Sequence, residues 1–368
     1  MEIRHIKASE LVEFAEKASS YYKDDIPITP WRVLSQANNP FAKADDVLLI
    51  VAEENKKLLG YIGILPGILA NDSSERIFWN SCWWSNPASG AMVSMTLLSE
   101  FMKMTSKRVA FSDLSQRTQA IIQKLGFNVM EREGVLINLK SALHSRSAFR
   151  KKSDFKSKGL ILTRKTGVFL ALDMLLNLFR RTVYRKFDKN PEVRILKSEN
   201  PGEEFYSFIK DHSQDAITVP TSQHIKWWFS DSWLVEENAK TKSTSEKYYF
   251  SSLAKNFTLW TLVIKLGEKI IGTAILSRKD GVLKTHFLHY SKDNKILFFK
   301  TLIRNATEEK VNKRFISFHE EFSEFLIEES KIKNRIKKLK RYTAISTIFS
   351  DNDKEFQFQD GDGDYIFT

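Results

Sequence analysis

Cysteine is nearly absent from this chain: Cys82 is the single one in 368 residues. That excludes an intramolecular disulfide framework and any cysteine-rich zinc or iron–sulfur site. Cys82 itself reads as a buried strand residue rather than a nucleophile. The seven histidines show no metal-ligand spacing; His286 and His289, three apart on a strand, are expected on opposite faces, so no metal is expected. The most apolar helical stretch, near 166–186, is interrupted by Asp173 and falls short of the roughly 20 residues a bilayer span needs. The chain opens on charge (Glu2, Arg4, His5, Lys7) in place of an apolar segment, so no signal peptide is expected and the setting reads as cytoplasmic.

What is present is enough apolar material for two cores, with 42% hydrophobic and 12% aromatic residues. The formal charge of +12 is local. Thirteen Lys or Arg against three Asp lie between Ser141 and Asn190, which accounts for +10 of it. A broad nucleic-acid groove is therefore not expected on the flanking segments. Thr166 to Lys186 places Val168, Phe169, Leu172, Leu175, Leu176, Phe179 and Val183 on one helical face, with Arg180 and Arg181 largely opposite. Two readings of this basic helix stay open: docking between domains, or peripheral contact with an anionic membrane face through 159–187.

Two stretches repeat one pattern. Val47 to Leu65 and Leu259 to Leu276 each consist of an apolar strand, a short charged turn and a second apolar strand with one glycine (Gly60, Gly272), as a buried antiparallel hairpin requires. After the first copy come a strand Arg76 to Trp84, a small-residue turn Ser85 to Gly90, a helix to about Met104, a strand Arg108 to Asp113 and a short helix ending in Gln123-Lys124-Leu125-Gly126-Phe127. A hairpin is expected around Met130 to Gly134, leading into Val135 to Leu139. The second copy repeats the order. Helices at 202–212 and 221–231 precede strands Lys247 to Leu253, Phe257 to Leu266, Ile270 to Ser277 and Leu283 to Tyr290. Then follow a helix Asn294 to Glu309, a strand Arg314 to His319, a helix near 321–330 and closing strands near 340–349 and 364–367.

That order, and the "QKLGF" ending in particular, resembles the GNAT acetyltransferase superfamily. The resemblance implies an α+β fold of two tandem GNAT-like domains, each a mixed, mostly antiparallel central sheet flanked by helices. The domains would span 1–140 and 193–368, the second a degenerate copy, with 141–192 as a basic helical connector. It also implies acetyl-CoA as donor, an amine as acceptor, and a pyrophosphate held by backbone amides at a helix N-terminus.

In this chain that turn is Ser85-Asn86-Pro87-Ala88-Ser89-Gly90-Ala91. The family's leading Arg or Gln is missing and Gly90 is its one glycine. The donor residues implied are Trp83, Trp84, Ser85, Ser89, Gly90, Ala91, Gln116 and Thr118. In the second copy the turn is Ser291-Lys292-Asp293-Asn294-Lys295, without glycine and with an acid where a phosphate would lie, so it is not expected to bind CoA. The family's Tyr before the "QKLGF" position is Ile122 here. Catalytic candidates are Asn80, Ser112, Asp113 and Ser115, with helix capping or strand-end satisfaction as the alternative for each.

Strand alternation sends Trp79 and Trp83 to one face and Trp84 to the other, and Trp227-Trp228 is placed on a helix that can shape an acceptor cleft. The tail Asp360-Gly-Asp-Gly-Asp364 lacks the closing Glu of a calcium loop and reads as a turn before a closing strand. Tails of this kind resemble those of GNAT-like proteins in surface-polysaccharide pathways, a resemblance that bears on biological setting, in which an amino sugar is one candidate acceptor. Three functions stay open: an acetyl-CoA-dependent N-acetyltransferase, a FemAB-like aminoacyl transferase, and a noncatalytic GNAT-like binding protein at a membrane surface.

Overall fold

The computed structural model describes residues 1–22, 25–70, 75–139, 190–213, 216–250, 252–309, 311–329, 336–349 and 356–367. The connector expected at 141–192 lies outside them up to residue 189, and with it the basic helix and the 159–187 face. Among the described residues no helix is long and apolar enough to cross a membrane.

The first half runs β1 (Glu2–Lys7), α1 (Leu11–Tyr21), α2 (Pro30–Ala37), β2 (Val47–Glu54), β3 (Lys57–Ile68), β4 (Arg76–Ser85), α3 (Gly90–Met104), β5 (Val109–Leu114), α4 (Gln116–Lys124) and β6 (Phe127–Asn138). The second half follows with β7 (Val193–Ser198), α5 (Glu203–Asp211), α6 (Ser222–Ser230), β8 (Val235–Glu236), α7 (Ala239–Ser245) and β9 (Leu253–Ala254). It closes with β10 (Phe257–Leu266), β11 (Lys269–Lys279), β12 (Val282–Tyr290), α8 (Lys295–Glu308), β13 (Arg314–Ser317), α9 (Glu320–Glu328) and β14 (Ile336–Ser346). Both repeated hairpins are present, as β2–β3 and β10–β11. Their strands are buried on both faces, which is why they read as near-continuous apolar runs.

Among the described residues, all strands but the short β8–β9 pair join one twelve-stranded sheet, ordered β1-β2-β3-β4-β5-β14-β6-β13-β12-β11-β10-β7. The halves exchange their last strands. β14 enters the first half beside β5, while β6 pairs with β13 of the second. The two form an antiparallel ladder with each other from Ser346↔Phe127 to Ile336↔Ile137. The sheet is antiparallel except at β4–β5 and β12–β13.

Four local expectations are corrected. Met130 to Gly134 is no hairpin, because Phe127–Asn138 is one uninterrupted strand. Its charges alternate: Glu131 and Glu133 pair outward with Lys340 and Lys338, and Arg132 turns inward to Asp360. Gly134 serves close packing and not a turn, since a Cβ there would stand 2.4 Å from the Phe318 ring. Of the strand expected over Lys247 to Leu253, residues 247–250 and 252 are not strand and only Leu253 is, in β9; Tyr248 and Phe250 pack across Tyr61 of the first half. Trp79 and Trp84 share a face and Trp83 takes the other, because β4 carries a bulge: Gly63 pairs with Cys82 and Ile64 with Asn80, leaving Ser81 extra and reversing the alternation. The tail ends in a 3-10 turn at Tyr365–Phe367 instead of a strand, with Ile366 and Phe367 fully buried.

Candidate active site

The two parallel strand pairs come apart in the same way. β4 and β5 are paired only over Phe78↔Val109, Trp79↔Ala110 and Asn80↔Phe111, yet β4 continues to Ser85. β12 and β13 are paired only up to Lys284↔Ile316, yet β12 continues to Tyr290. A bulge sits just past each fork: Ser81 in β4, and His286 in β12, where Ile275 pairs with Phe287 and Leu276 with Thr285. Each fork opens toward the strands' carboxyl ends, where α3 and α4, or α8 and α9, begin. That crevice is where parallel α/β pairs hold ligands.

At the mouth of the first fork, a 3-10 turn at Pro87–Ser89 leads into α3. Asn86 accepts the Ala88 amide through its side chain (2.9 Å) and the Ser89 amide through its carbonyl (2.9 Å). The first α3 amides, from Gly90 on, lack intrahelical acceptors and no side chain caps them. Gly90 and Ala91 are exposed; Trp83, Trp84, Ser85 and Ser89 are half-buried. These six lie along one stretch from the end of β4 to the start of α3, with the Trp83 and Trp84 side chains on opposite faces of the sheet. Gln116 is exposed at the start of α4, and the Thr118 hydroxyl is spent on Ser115 (2.7 Å).

The catalytic candidates divide. Ser115 caps α4, accepting the Thr118 amide at 3.1 Å. The Asn80 amide group spans the bulge, donating to the Cys82 carbonyl at 3.0 Å and the Gly63 carbonyl at 3.4 Å. Ser112 and Asp113 form a second bulge, both standing opposite Thr343 of β14. Asp113 is exposed; desolvation by the surrounding protein raises its pKa, against the opposing pull of Arg341 and Lys284. Ser112 is buried and donates to Asp364 of the tail at 3.2 Å. Ile122 is fully buried in the α4 core. Trp227 and Trp228 are also buried: Trp227 donates to the Ser35 carbonyl at 2.8 Å and so ties α6 to the first half, while Trp228 stacks on Phe287 within the second.

Sequence reasoning missed Arg32 and Asp364. Thr29 caps α2 and Pro30 opens it, which places Arg32 on its buried face. The Arg32 guanidinium donates to the Ser81 carbonyl at 2.6 Å and to Asp364 at 3.2 Å, and it lies 4.1 Å from the Trp233 ring centroid. Burial pushes the Asp364 carboxyl up to about 6, with Arg32 and Ser112 pulling the other way. Burial likewise raises Asp362 to about 7, against the Gln359 amide and Arg132. A carboxylate with its pKa raised in this way can take a proton from an amine near neutral pH. One signal was available: three tail aspartates separated by glycines, with no basic residue nearby to neutralise them. His286 and His289 are both buried, and among the described residues no group of three or more His, Cys, Asp or Glu could hold a metal ion.

No protein-family profile matches the sequence, and no curated protein matches it. Among solved structures the chain is similar to a GCN5-related N-acetyltransferase from Kribbella flavida (9% identity, TM-score 0.48, 93% of this chain and 70% of that one). It is also similar to a GCN5-related N-acetyltransferase from Anabaena variabilis ATCC 29413 (10% identity, TM-score 0.48, 93% and 72%).

Proposed function

We propose that this protein is an acyl-CoA-dependent N-acyltransferase, built from two GNAT-like halves of which the first takes the donor. The observation that carries this reading is the first fork: the β4–β5 ladder stops at Asn80↔Phe111 while β4 runs on to Ser85 and an uncapped helix start. The pantetheine amides of acetyl-CoA would bond the free strand edge, and its pyrophosphate would meet the α3 amides of Gly90 and Ala91. The amine attacks the thioester carbonyl carbon, the C–S bond breaks, the amine proton passes to Asp364, and the thiolate takes a proton from water. Arg32 and Ser112 hold the Asp364 carboxyl in place. The aromatic set at the end of β4, with Trp84 and Tyr249 at 6.0 Å and Tyr249 71% exposed, favours a ring-bearing acceptor such as an amino sugar.

A second reading, a noncatalytic binding protein, is favoured by one observation. Asp364, Arg32 and Ser112 are all less than a tenth exposed beneath the tail. Calorimetry and a turnover assay with an amino-sugar panel separate the two. Acetyl-CoA binding with turnover supports the enzyme, and binding without turnover supports the second reading.

Ala91→Glu tests the donor position. An acid at a helix N-terminus leaves the fold intact but repels a pyrophosphate, so acetyl-CoA affinity should fall at least about tenfold, roughly the factor for 1.4 kcal/mol. Ile296→Glu, at the matching position of α8, is the control and should change nothing. Equal affinity in Ala91→Glu and wild type overturns the donor assignment.

A further inference from the structure

The second fork is not open. Its walls are β12 past Lys284 and the end of β13, and the polar groups of the tail reach both. Gln359 accepts the Leu288 amide through Oε1 at 2.9 Å, and the Gly361 amide donates to the His286 carbonyl at 2.9 Å. On the other wall the Phe318 amide donates to Asp360 Oδ2 at 2.7 Å. A donor and an acceptor of β12, two residues apart beside the bulge, are thus met by the side-chain carbonyl of Gln359 and the backbone N–H of Gly361, in a turn that the Asp362 amide closes onto the Gln359 carbonyl at 3.3 Å. An external ligand of alternating amide groups would use the same two positions.

The fit is specific at Gly361. A Cβ there would lie 2.0 Å from the Phe287 ring, so only glycine lets the chain sink to this depth. Asp360 is tied down by Arg132 at 3.2 Å and Arg341 at 3.4 Å. Two residues further on, Gly363 packs against Trp79 and Asp364 reaches Ser112 and Arg32 in the first fork. One strap of six residues therefore links both crevices. In the first fork the carbonyl that corresponds to His286, that of Ser81, is held by Arg32 and not by a backbone amide. By the same register the Trp83 amide, counterpart of Leu288, faces the first crevice, where no tail residue meets it among the described hydrogen bonds.

We infer that the β12–β13 fork is an amide-binding slot whose resident ligand is the protein's own turn 359–361, so that each chain can hold one acyl-CoA and not two. The acyl-CoA part rests on the donor reading above; the occupancy of the slot does not. With the strap seated, the two strand groups that a pantetheine would use are already bonded, and Gly361 fills the depth of the slot. The same strap then delivers Asp364 to the other crevice, so the degenerate half acts as the anchor for a residue of the first.

Hydrogen exchange on the full-length protein, followed at single amides, tests this. The Leu288, Phe318 and Gly361 amides should exchange at least roughly a hundredfold more slowly than exposed amides of the same sequence. Saturating acetyl-CoA should slow exchange within 80–92 and leave 286–290 unchanged. Gly361→Ala should unseat the strap and release all three amides. Should that variant fail to fold, Gln359→Leu, which removes one acceptor without adding bulk at the ring, should speed Leu288 exchange at least about tenfold with the β10–β11 amides unchanged. Exposed-like exchange at Leu288 and Gly361 in the wild type overturns the inference, as does acetyl-CoA protection of 286–290. Protected strap amides with no acetyl-CoA effect anywhere uphold it and overturn the donor reading alone.

Discussion

Arg132 and Arg341 stand directly opposite each other in the β6–β14 ladder, at the seam where the two halves exchange strands, and both reach the same oxygen of Asp360. Like charges facing each other across a sheet repel. Here the tail carboxylate lies between them, and the Arg341 guanidinium also covers the Phe318 ring at 3.8 Å. Asp360→Asn would leave two nearly buried cations without their shared anion. We expect a loss of about 3–5 kcal/mol, read as a lowered denaturant midpoint with an unchanged slope. A loss below about 1 kcal/mol would show that the arginines find other partners.

Docking of the tail should weaken as pH rises. Burial raises the Asp362 and Asp364 carboxyls to about 7 and about 6 in the folded protein. Groups raised in this way favour the docked state fully below the ordinary carboxylate pKa near 4, and that contribution is lost as pH climbs through 6 to 7. Melting temperature should therefore decline across this window, and Asp362→Asn should flatten the decline by an amount on the order of a few kcal/mol. An identical pH profile in the variant would exclude Asp362 as the source.

Asp364→Asn keeps the shape, with its one amide oxygen accepting from Arg32 and its NH2 turned to the Ser112 hydroxyl, but cannot take a proton. If Asp364 is the base, turnover should drop by roughly 10²–10⁴-fold while acetyl-CoA affinity holds. In the wild type kcat/KM should rise with pH through about 6. Equal turnover in the variant would place the base elsewhere.

Gly134→Val should destabilise by about 1–3 kcal/mol or more, since a Cβ at 2.4 Å from the Phe318 ring forces the ring or the strand to move. Chemical denaturation of the variant measures it. A neutral result would mean that the Phe318 ring can rotate away at little cost.

Much of each half was legible from residues a few positions apart. Ser115 caps α4, the alternative that its place just before Gln116 offered, and the hairpin repeat at 47–65 and 259–276 became β2–β3 and β10–β11. The misreadings share a cause. The alternation of Trp79, Trp83 and Trp84 failed because one extra residue, Ser81, reverses the faces, and a bulge leaves no mark in a strand's composition. Met130 to Gly134 was misread because charges and a glycine usually mark a turn. Here they mark a strand whose partners, Lys338, Lys340 and Asp360, lie far along the chain.

The candidate site was half visible. The turn before α3 could be found from its small residues, because helix starts depend on neighbours in sequence. Arg32 and Asp364 could not be paired, being 332 residues apart. By itself the sequence determined the hairpins, the helix starts and the order of elements in each half, since those rest on periodicity and short-range hydrogen bonding. Only the tertiary structure decided that β6 and β14 trade places, where both ladders fork, and that the Asp-Gly-Asp-Gly-Asp tail runs from β12 to Ser112 and Arg32. Buried carboxylates and glycines seated on aromatic rings are set by partners that the fold brings from other parts of the chain.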